Sequence, residues 1–186
     1  MEQSKRDIEP GRFLSLVLRH NPAAAQIRLD AHGWADVDAL LAGCARAGKR
    51  IDRETLERIV RENNKQRYSF NGDHTKIRAN QGHSIAVDVG LNQAPPPDRL
   101  YHGTAARFLE SIRAEGITRQ SRQHVHLSSD PETARKVGSR HGAPAVLPVD
   151  AGRMARDGFL FYRSVNGVWL CEQVPWKYVL ESEISY

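Results

Sequence analysis

Apolar residues at helical spacing dominate the first half of the chain. A stripe that follows Pro10-Gly11 and ends before Asn21-Pro22 predicts a first helix. Asp36 and Asp52 precede two further stripes, and aspartate in that place favours the N-terminal cap of a helix. The three stripes consist of Phe13, Leu14, Leu16, Val17 and Leu18, of Val37, Leu40 and Leu41, and of Leu56, Ile59 and Val60.

After the third stripe the apolar period shortens to that of a strand. Residues 67–70 and 76–79 flank the turn signal Asn71-Gly72 and predict a β-hairpin. Residues 83–87 predict a further strand. Three helices followed by a hairpin favour a winged-helix unit, an architecture that often binds nucleic acid but does not fix a function.

Three consecutive prolines, Pro95–Pro97, separate the two halves of the chain. Such a run cannot lie inside a helix or a central strand, and it stiffens a linker in an extended form. We therefore predict a first lobe over residues 1–92, a linker over 93–98 and a second lobe over 99–186. The second lobe alternates short strands with two helices, so the predicted fold class is α+β, with an antiparallel or mixed sheet.

Composition and charge narrow the class of protein only a little. The 186 residues are 40% hydrophobic and 26% charged, as in a globular protein, and no apolar run approaches the roughly 18 residues of a membrane helix. The N-terminus lacks the apolar core of a signal peptide, and the two cysteines, Cys44 and Cys171, form no CxxC pair. A cytoplasmic protein is therefore expected. The net charge of +5 favours a polyanionic partner without proving one.

Several basic residues are candidates for binding a phosphate. Arg19 and His20 end the first predicted helix, where a basic pair also complements the helix dipole. Arg67 opens a strand and Arg122 lies in a polar loop, and both are ordinary places for an exposed arginine. Taken one at a time, these residues are explained by structure as well as by function.

The second lobe offers candidates of another kind. His102, Gly103 and Thr104 end a predicted strand, where they form either an ordinary turn or a close approach to a ligand. His124 and His126 would lie on one face of a strand and could form a metal-binding pair. However, the sequence has no third metal ligand at a motif spacing from them. The tryptophans fit core packing better than stacking on a base or on nicotinamide. They are Trp34, Trp169 and Trp176.

The order of several motifs is more informative than any single residue. The segments LSLVLRHNP, NNKQRYSF, IRANQGHSI, LYHGT and SRQHVHLSSDPETA follow one another, with VPWKYV near the end. Together they resemble the RNA 2′-phosphotransferases, also called tRNA 2′-phosphotransferases, from about Lys5 to Glu181. The resemblance implies a winged-helix lobe that binds RNA, joined to an NAD⁺-binding lobe of the ADP-ribosyltransferase type.

The resemblance also implies roles for particular residues. The family has an Arg-His-Arg-Arg tetrad at the mouth between its lobes, and by motif the tetrad is catalytic here. The residues that match the NAD⁺-binding elements are His102, Gly103, Thr104, His126 and Ser128. The tetrad falls on Arg19, His20, Arg67 and Arg122. No metal is implied. Where many ADP-ribosyltransferases carry a catalytic glutamate, this chain has an apolar residue near Val174, and Glu172 is not expected to be catalytic.

The activity that the resemblance implies is transfer of an internal RNA 2′-phosphate to NAD⁺, as in tRNA splicing. The products would be RNA with a free 2′-hydroxyl, ADP-ribose 1″,2″-cyclic phosphate and nicotinamide. The expected partners are RNA with an internal 2′-phosphate and NAD⁺, without a membrane, and the protein is expected to be a monomer. Two alternatives stay open: an ADP-ribosyltransferase that stops after capping a phosphate, and a non-catalytic RNA-binding module.

Overall fold

The computed structural model describes residues 5–63 and 65–186, with the backbone alone at residues 5 and 6. The predicted first lobe also includes residues 1–4, and the NNKQR motif includes Asn64; these lie outside the described residues. The chain divides into two compact units, Met1–Gly90 and Leu91–Tyr186. The boundary therefore lies a few residues before the predicted linker, because Asn92 and Gln93 pair with a strand of the second unit.

Among its described residues, the first unit combines three α-helices with a small antiparallel sheet. Asp36 and Asp52 cap the second and third helices, accepting hydrogen bonds from the amides of Ala39 and Thr55 at 2.8 Å each, as predicted. The strand order in the sheet is β1-β3-β2. The elements are α1 (Lys5–Arg19), β1 (Ala35–Asp36), α2 (Val37–Arg46), α3 (Arg53–Glu62), β2 (Tyr68–Phe70) and β3 (Lys76–Ala79).

Helix α1 begins earlier than the sequence predicts and contains Pro10 in its interior. The turn before the proline is anchored from elsewhere in the unit: the Arg58 guanidinium donates to both carboxylate oxygens of Asp7, at 2.9 and 3.2 Å. Asp7 is almost fully buried. A buried carboxylate paired with α3 stabilises the turn that the proline alone would disfavour.

The prediction of a strand over residues 83–87 is wrong. In place of a strand ladder, this segment and the residue after it make backbone hydrogen bonds to the end of α1 and to a loop. The Ser84 amide donates to the Arg19 carbonyl at 3.0 Å, and the Asp88 amide donates to the Ala31 carbonyl at 2.8 Å. The segment crosses close to Gly33, where an added Cβ atom would lie 3.6 Å from a side-chain atom of His83 and from one of Val87.

The second unit consists of short strands with three helices, and every strand pair among the described residues is antiparallel. The α+β class is confirmed. Its sheets have the orders β4-β9-β10-β7, β11-β6 and β5-β8. The elements are β4 (Asn92–Gln93), β5 (Arg99–Ala105), α4 (Leu109–Glu115), β6 (Ile117–Thr118), β7 (Val125–Leu127), α5 (Pro131–Gly138), β8 (Pro144–Asp150), α6 (Ala151–Arg156), β9 (Tyr162–Arg163), β10 (Trp169–Cys171) and β11 (Gln173–Val174).

Each unit has its own apolar core. In the first, Leu14, Leu18, Leu40, Leu56 and Ile77 lie between the helices and the inner face of the sheet. In the second, a cluster that includes Trp169 and Val174 fills the space under the strands. Among the described helices, none is both long and apolar enough to cross a bilayer.

Candidate active site

The end of α1 presents Arg19 and His20 in two different environments. Arg19 is only 9% exposed, whereas His20 is exposed. In the last turn of the helix, the Leu16 carbonyl accepts hydrogen bonds from the backbone amides of His20 and Asn21 at 2.9 and 2.8 Å. A guanidinium that merely complemented a helix dipole would gain nothing from burial. The burial of Arg19 therefore favours a role beyond capping.

Ser84 holds this pair in place. Its hydroxyl oxygen lies 2.9 Å from Nδ1 of His20. Its amide donates to the carbonyl of Arg19 at 3.0 Å. One residue from the irregular segment after the hairpin thus fixes both the backbone at the end of α1 and the orientation of the His20 ring.

Tyr68 connects the first basic pair to Arg67. The Tyr68 hydroxyl donates to the Gly11 carbonyl at 3.0 Å, and the Arg19 Cζ atom lies 6.0 Å from its ring centroid. Burial raises the pKa of Tyr68, and the positive charges of Arg19 and Arg67 act in the opposite direction. Arg19 and Arg67 therefore flank the same buried phenol.

Two buried asparagines hold the segment that carries Arg67. Asn63 Oδ1 accepts from Nη1 of Arg67 at 3.4 Å. The backbone N–H of Asn80 donates to the Arg67 carbonyl at 2.9 Å, and its side-chain Nδ2 donates to the Gln66 carbonyl at 2.6 Å. Asn80 Oδ1 also accepts from the Ser69 hydroxyl at 2.8 Å. Gln66 adopts a left-handed conformation with φ of 41°, so these bonds maintain a backbone that would otherwise be unfavourable.

His83 lies buried beside these basic groups and is 1% exposed. Burial lowers the pKa of His83 to about 4, and the positive charges of Arg19, His20 and Arg78 act in the same direction. The His83 imidazole is therefore neutral at pH 7. Its Nε2 atom has no hydrogen-bond partner within the described residues.

In the second unit, the charge of Arg122 influences the pKa of His102. Arg122 lies in the exposed segment before β7, and its amide donates to the Arg119 carbonyl at 3.0 Å. Desolvation, and then the charge of Arg140, lowers the pKa of Arg122. Burial lowers the pKa of His102, the hydrogen bond to His126 raises it, and the charge of Arg122 lowers it further. His102 is therefore kept neutral beside an arginine.

The ring of His102 has a defined tautomer. Its Nδ1 atom lies 3.1 Å from the carbonyl oxygen of His126. Because a carbonyl oxygen can only accept, Nδ1 carries the proton and donates it, which leaves Nε2 as an acceptor in the neutral ring. Such a ring can accept a hydrogen bond from a hydroxyl or an amide of a ligand.

Strands β5 and β7 bring the predicted NAD⁺-binding residues together. Tyr101 and Ser128 exchange both backbone hydrogen bonds, at 2.9 and 2.8 Å. His102 follows Tyr101, and its ring is hydrogen-bonded to the His126 carbonyl. His102, His126 and Ser128 are therefore close together where β5 meets β7. Thr104 lies two residues further along β5, on the same face as His102, and is buried.

Gly103 has a packing role in the structure. A Cβ atom at this position would lie 1.7 Å from the carbonyl oxygen of Ala134 in α5, and one at Gly138 would lie 2.5 Å from the carbonyl oxygen of Thr104. The two glycines allow α5 to approach β5 at backbone distance. The space that we expected Gly103 to leave for a ligand is occupied by this helix. Binding of NAD⁺ by its backbone stays a prediction.

The remaining candidates have specific neighbours. Nδ1 of His126 lies 3.0 Å from the His124 carbonyl oxygen, and the His124 ring packs at 5.9 Å from Tyr162. Within residues 5–63 and 65–186, no three His, Cys, Asp or Glu side chains are grouped as metal ligands. Trp169 is in the core and Trp176 packs against it, whereas the ring of Trp34 lies under the Arg78 guanidinium.

Comparison with known proteins decides the family. The model of the family described as RNA 2′-phosphotransferase, Tpt1 / KptA family, matches residues 5–173. The chain belongs to the RNA 2′-phosphotransferase family. The resemblance drawn from the motifs is confirmed.

Individual members of the RNA 2′-phosphotransferase family match over almost the whole chain. The Probable RNA 2′-phosphotransferase of Flavobacterium johnsoniae is 54% identical over 168 residues, which cover 90% of this chain and 92% of that protein. The protein of the same name from Fusobacterium nucleatum is 52% identical over 174 residues, covering 93% and 97%. That of Streptomyces coelicolor is 50% identical over 177 residues, covering 95% and 96%.

Four residues that the structure places around Arg19, His20 and Arg67 were not predicted from the sequence. All four lie inside the family motifs quoted above, so their presence in those motifs was the available signal. They are Asn63, Arg78, Asn80 and Ser84.

Proposed function

We propose that this protein transfers an internal RNA 2′-phosphate to NAD⁺. Family membership supports a phosphotransferase that acts on RNA. The observation that carries the proposal is the arrangement in the first unit, where Arg19, His20 and Arg67 are each held by a residue of the family motifs. A guanidinium is permanently charged and binds phosphate oxygens through two parallel hydrogen bonds.

We propose that the first unit is a winged-helix lobe that binds RNA. Its element order, α1-β1-α2-α3-β2-β3, and its strand order, β1-β3-β2, support this. We propose that the second unit is an NAD⁺-binding lobe of the ADP-ribosyltransferase type. The neutral His102 ring, with Nε2 as an acceptor, and the neighbouring Ser128 fit the hydroxyl and carboxamide groups of the nicotinamide riboside.

In the first proposed step, an oxygen of the RNA 2′-phosphate attacks C1″ of the nicotinamide ribose. The bond between C1″ and nicotinamide breaks, and its electron pair leaves with nicotinamide, which becomes neutral. The carbon has oxocarbenium character in the transition state and attracts an anion. A 2′-phosphate is already anionic at pH 7, so this step needs no general base. Where many ADP-ribosyltransferases carry a catalytic glutamate, this chain has Val174, which is fully buried in the core. An apolar residue there is compatible with a step that needs no base.

In the second proposed step, the ribose 2″-hydroxyl attacks the phosphorus atom. The bond from phosphorus to the RNA 2′-oxygen breaks, and the proton of the 2″-hydroxyl passes to that oxygen. The products are RNA with a 2′-hydroxyl and ADP-ribose 1″,2″-cyclic phosphate. Arg19, Arg67 and Arg122 would bind the phosphate in both steps, and His20, oriented by Ser84, would bind a phosphate oxygen or relay the proton. The arginines supply positive charge that a metal ion supplies in other phosphoryl transfers.

We propose that the protein works as a monomer in a reducing cytoplasm. The two cysteines are buried and free, and burial raises the pKa of the Cys44 thiol to about 11 and that of Cys171 to about 12. Unreactive, unpaired thiols are compatible with a monomer that works in a reducing cytoplasm.

The experiment that tests the proposal is a product analysis by mass spectrometry. The protein is incubated with NAD⁺ and an oligonucleotide that carries one internal 2′-phosphate. We expect nicotinamide, 2′-hydroxyl RNA and ADP-ribose cyclic phosphate in equal amounts. Nicotinamide with RNA-linked ADP-ribose as the final product would indicate an ADP-ribosyltransferase that stops after the first step. Binding without any product would indicate a non-catalytic RNA-binding module.

A further inference from the structure

Arg78 lies on the same face of the small sheet as Arg67. In the register between β2 and β3, Arg78 is opposite Ser69, and its neighbours Ile77 and Ala79 are buried in the core. Side chains alternate along a strand, so Arg78 is on the outer face. The hydrogen bond from the Asn80 amide to the Arg67 carbonyl extends the register by one pair. Arg67 is therefore on that outer face as well.

Within the described residues, the Arg78 guanidinium lies over an aromatic ring and has no hydrogen-bond or ion-pair partner. Its Cζ atom lies 4.5 Å from the ring centroid of Trp34. Its Nε atom is shielded from solvent and has no hydrogen-bond partner within the described residues. Because the protein covers Nε, an anion would reach the guanidinium at its terminal nitrogens, which can donate charge-assisted hydrogen bonds to a phosphate oxygen.

Arg78 differs in this respect from three other basic residues of the first unit. Lys76, two residues earlier on the same face of β3, pairs with Asp30 at 3.6 Å. Arg53 pairs with Asp38 and Arg58 pairs with Asp7. No ion pair of Arg78 occurs in the part of the chain that the structure describes. Unlike these three residues, Arg78 does not neutralise a carboxylate of the first unit within the described residues.

Arg78 also lies beside the candidate phosphate-binding residues. The charges of Arg19, His20 and Arg78 all act on the buried imidazole of His83. His83 itself is neutral, so it adds no charge beside these basic groups. Repulsion between such cations is offset when anionic groups bind among them.

The substrate of the proposed reaction offers two anions side by side. The ribose that carries an internal 2′-phosphate also carries a 3′-phosphodiester on the adjacent carbon. We propose that Arg78, stacked on Trp34, binds this neighbouring phosphodiester and so makes the protein selective for internal 2′-phosphates. This inference rests on the proposed function. Arg78 would act in binding and specificity, while the tetrad binds the reacting phosphate.

The test uses two oligonucleotides of one sequence, each with the same internal 2′-phosphate. In one, the adjacent 3′ linkage is the ordinary phosphodiester, and in the other it is an uncharged methylphosphonate. We expect the unaltered protein to prefer the charged linkage by about 10- to 100-fold in kcat/KM, as for one charge-assisted contact. Arg78→Gln should remove this preference. Lys76→Gln, the matched control on the same strand face, should retain it.

Three results would overturn the inference: equal use of the two oligonucleotides by the unaltered protein, a preference that persists in Arg78→Gln, or an equal loss in Lys76→Gln. If Arg78→Gln does not fold, Arg78→Met keeps the aliphatic stem on Trp34 and takes its place. Fluorescence anisotropy without NAD⁺ measures the affinity of each protein for the two oligonucleotides, and the ratio of the two affinities gives the same comparison for binding alone. If the unaltered protein binds these RNAs but transfers no phosphate, the proposed function fails, and the binding ratio still decides the role of Arg78.

Discussion

The Nδ1 atom of His102 lies 3.1 Å from the carbonyl oxygen of His126, and this bond joins two predicted NAD⁺-binding segments. The residue before His102 is paired by backbone hydrogen bonds with Ser128, so the histidine and the serine are held in a fixed relation. Both belong to the second unit. A ligand that contacts one of them would have the other within reach.

We expect His102→Ala and Ser128→Ala to reduce use of NAD⁺ while leaving RNA affinity nearly intact. Loss of one neutral hydrogen bond to the ligand corresponds to a decrease of about 5- to 10-fold in kcat/KM for NAD⁺. Steady-state kinetics measures this, and anisotropy with a 2′-phosphorylated oligonucleotide measures the RNA affinity. His141→Ala, at an exposed histidine of the same unit, is the control. Equal loss for NAD⁺ and RNA would mean that the two units are assigned wrongly.

We expect Gly103→Ala to destabilise the second unit, whether or not NAD⁺ is present. The new Cβ atom would collide with the backbone of α5, so the helix must move away from β5. Overpacking of this kind costs about 1–3 kcal/mol or more. Gly72→Ala, where nothing lies within 4 Å of the added atom, should change the free energy of unfolding by less than about 0.5 kcal/mol. Equal stability of the two variants in urea would contradict the packing role.

Features with local causes could be predicted from the sequence. The caps at Asp36 and Asp52 depend on an amide three residues away, and the hairpin depends on its turn. The start of α1 could not be predicted, because it depends on an ion pair between Asp7 and Arg58. The path of residues 83–88 likewise depends on two carbonyl groups that are distant along the chain, those of Arg19 and Ala31.

The candidate site shows the same division. The order of the motifs was enough to select Arg19, His20 and Arg67 as candidates, but it gave no information about what holds them. The roles of Asn80 and Arg78 follow from the register between β2 and β3. That register is a tertiary property, and no pattern along the chain specifies which side chains it brings together.

We expect the buried His83 to make the stability of the protein depend on pH. Its pKa is about 4 in the folded state, against 6.5 for an ordinary histidine. The unfolded chain therefore binds a proton that the folded protein excludes, so the stabilising contribution is complete above about pH 6.5 and is lost as the pH falls toward 4. Between pH 7 and pH 5 this loss amounts to about 2 kcal/mol.

Urea unfolding at both pH values measures the effect. In His83→Phe, the decrease in stability from pH 7 to pH 5 should be smaller than in the unaltered protein by about that amount. Ile77→Val, a change in the same core without a titrating group, should lower stability equally at both pH values. Parallel pH curves for His83→Phe and the unaltered protein would contradict the account.

We expect the arginines to contribute more to the second proposed step than to the first. In the first step the phosphate loses negative charge as it bonds to a cationic carbon. In the second, negative charge grows on the non-bridging oxygens. Only interactions that strengthen in the transition state accelerate a step, and each lost donor costs on the order of 10²–10³ in rate. Arg67→Ala or Arg122→Ala should therefore accumulate RNA joined through its 2′-phosphate to ADP-ribose.

A time course that separates substrate, adduct and product checks this division. Arg67→Lys and Arg122→Lys should restore the second step only in part, because one ammonium cannot replace a bidentate guanidinium. Arg61→Ala, at an exposed arginine of α3, is the control. If both alanine variants slow formation of the adduct as much as its resolution, the arginines do not divide their effect in this way.

In the proposed reaction the 2′-phosphate itself moves from RNA to NAD⁺, and a radioactive label in that phosphate shows where it goes. An oligonucleotide with ³²P only in its internal 2′-phosphate is incubated with the protein, with and without NAD⁺, and the label is followed by chromatography. We predict that the label leaves the RNA only when NAD⁺ is present and is recovered entirely in ADP-ribose 1″,2″-cyclic phosphate. Label recovered as inorganic phosphate, or label that stays attached to RNA while nicotinamide is released, would contradict the account.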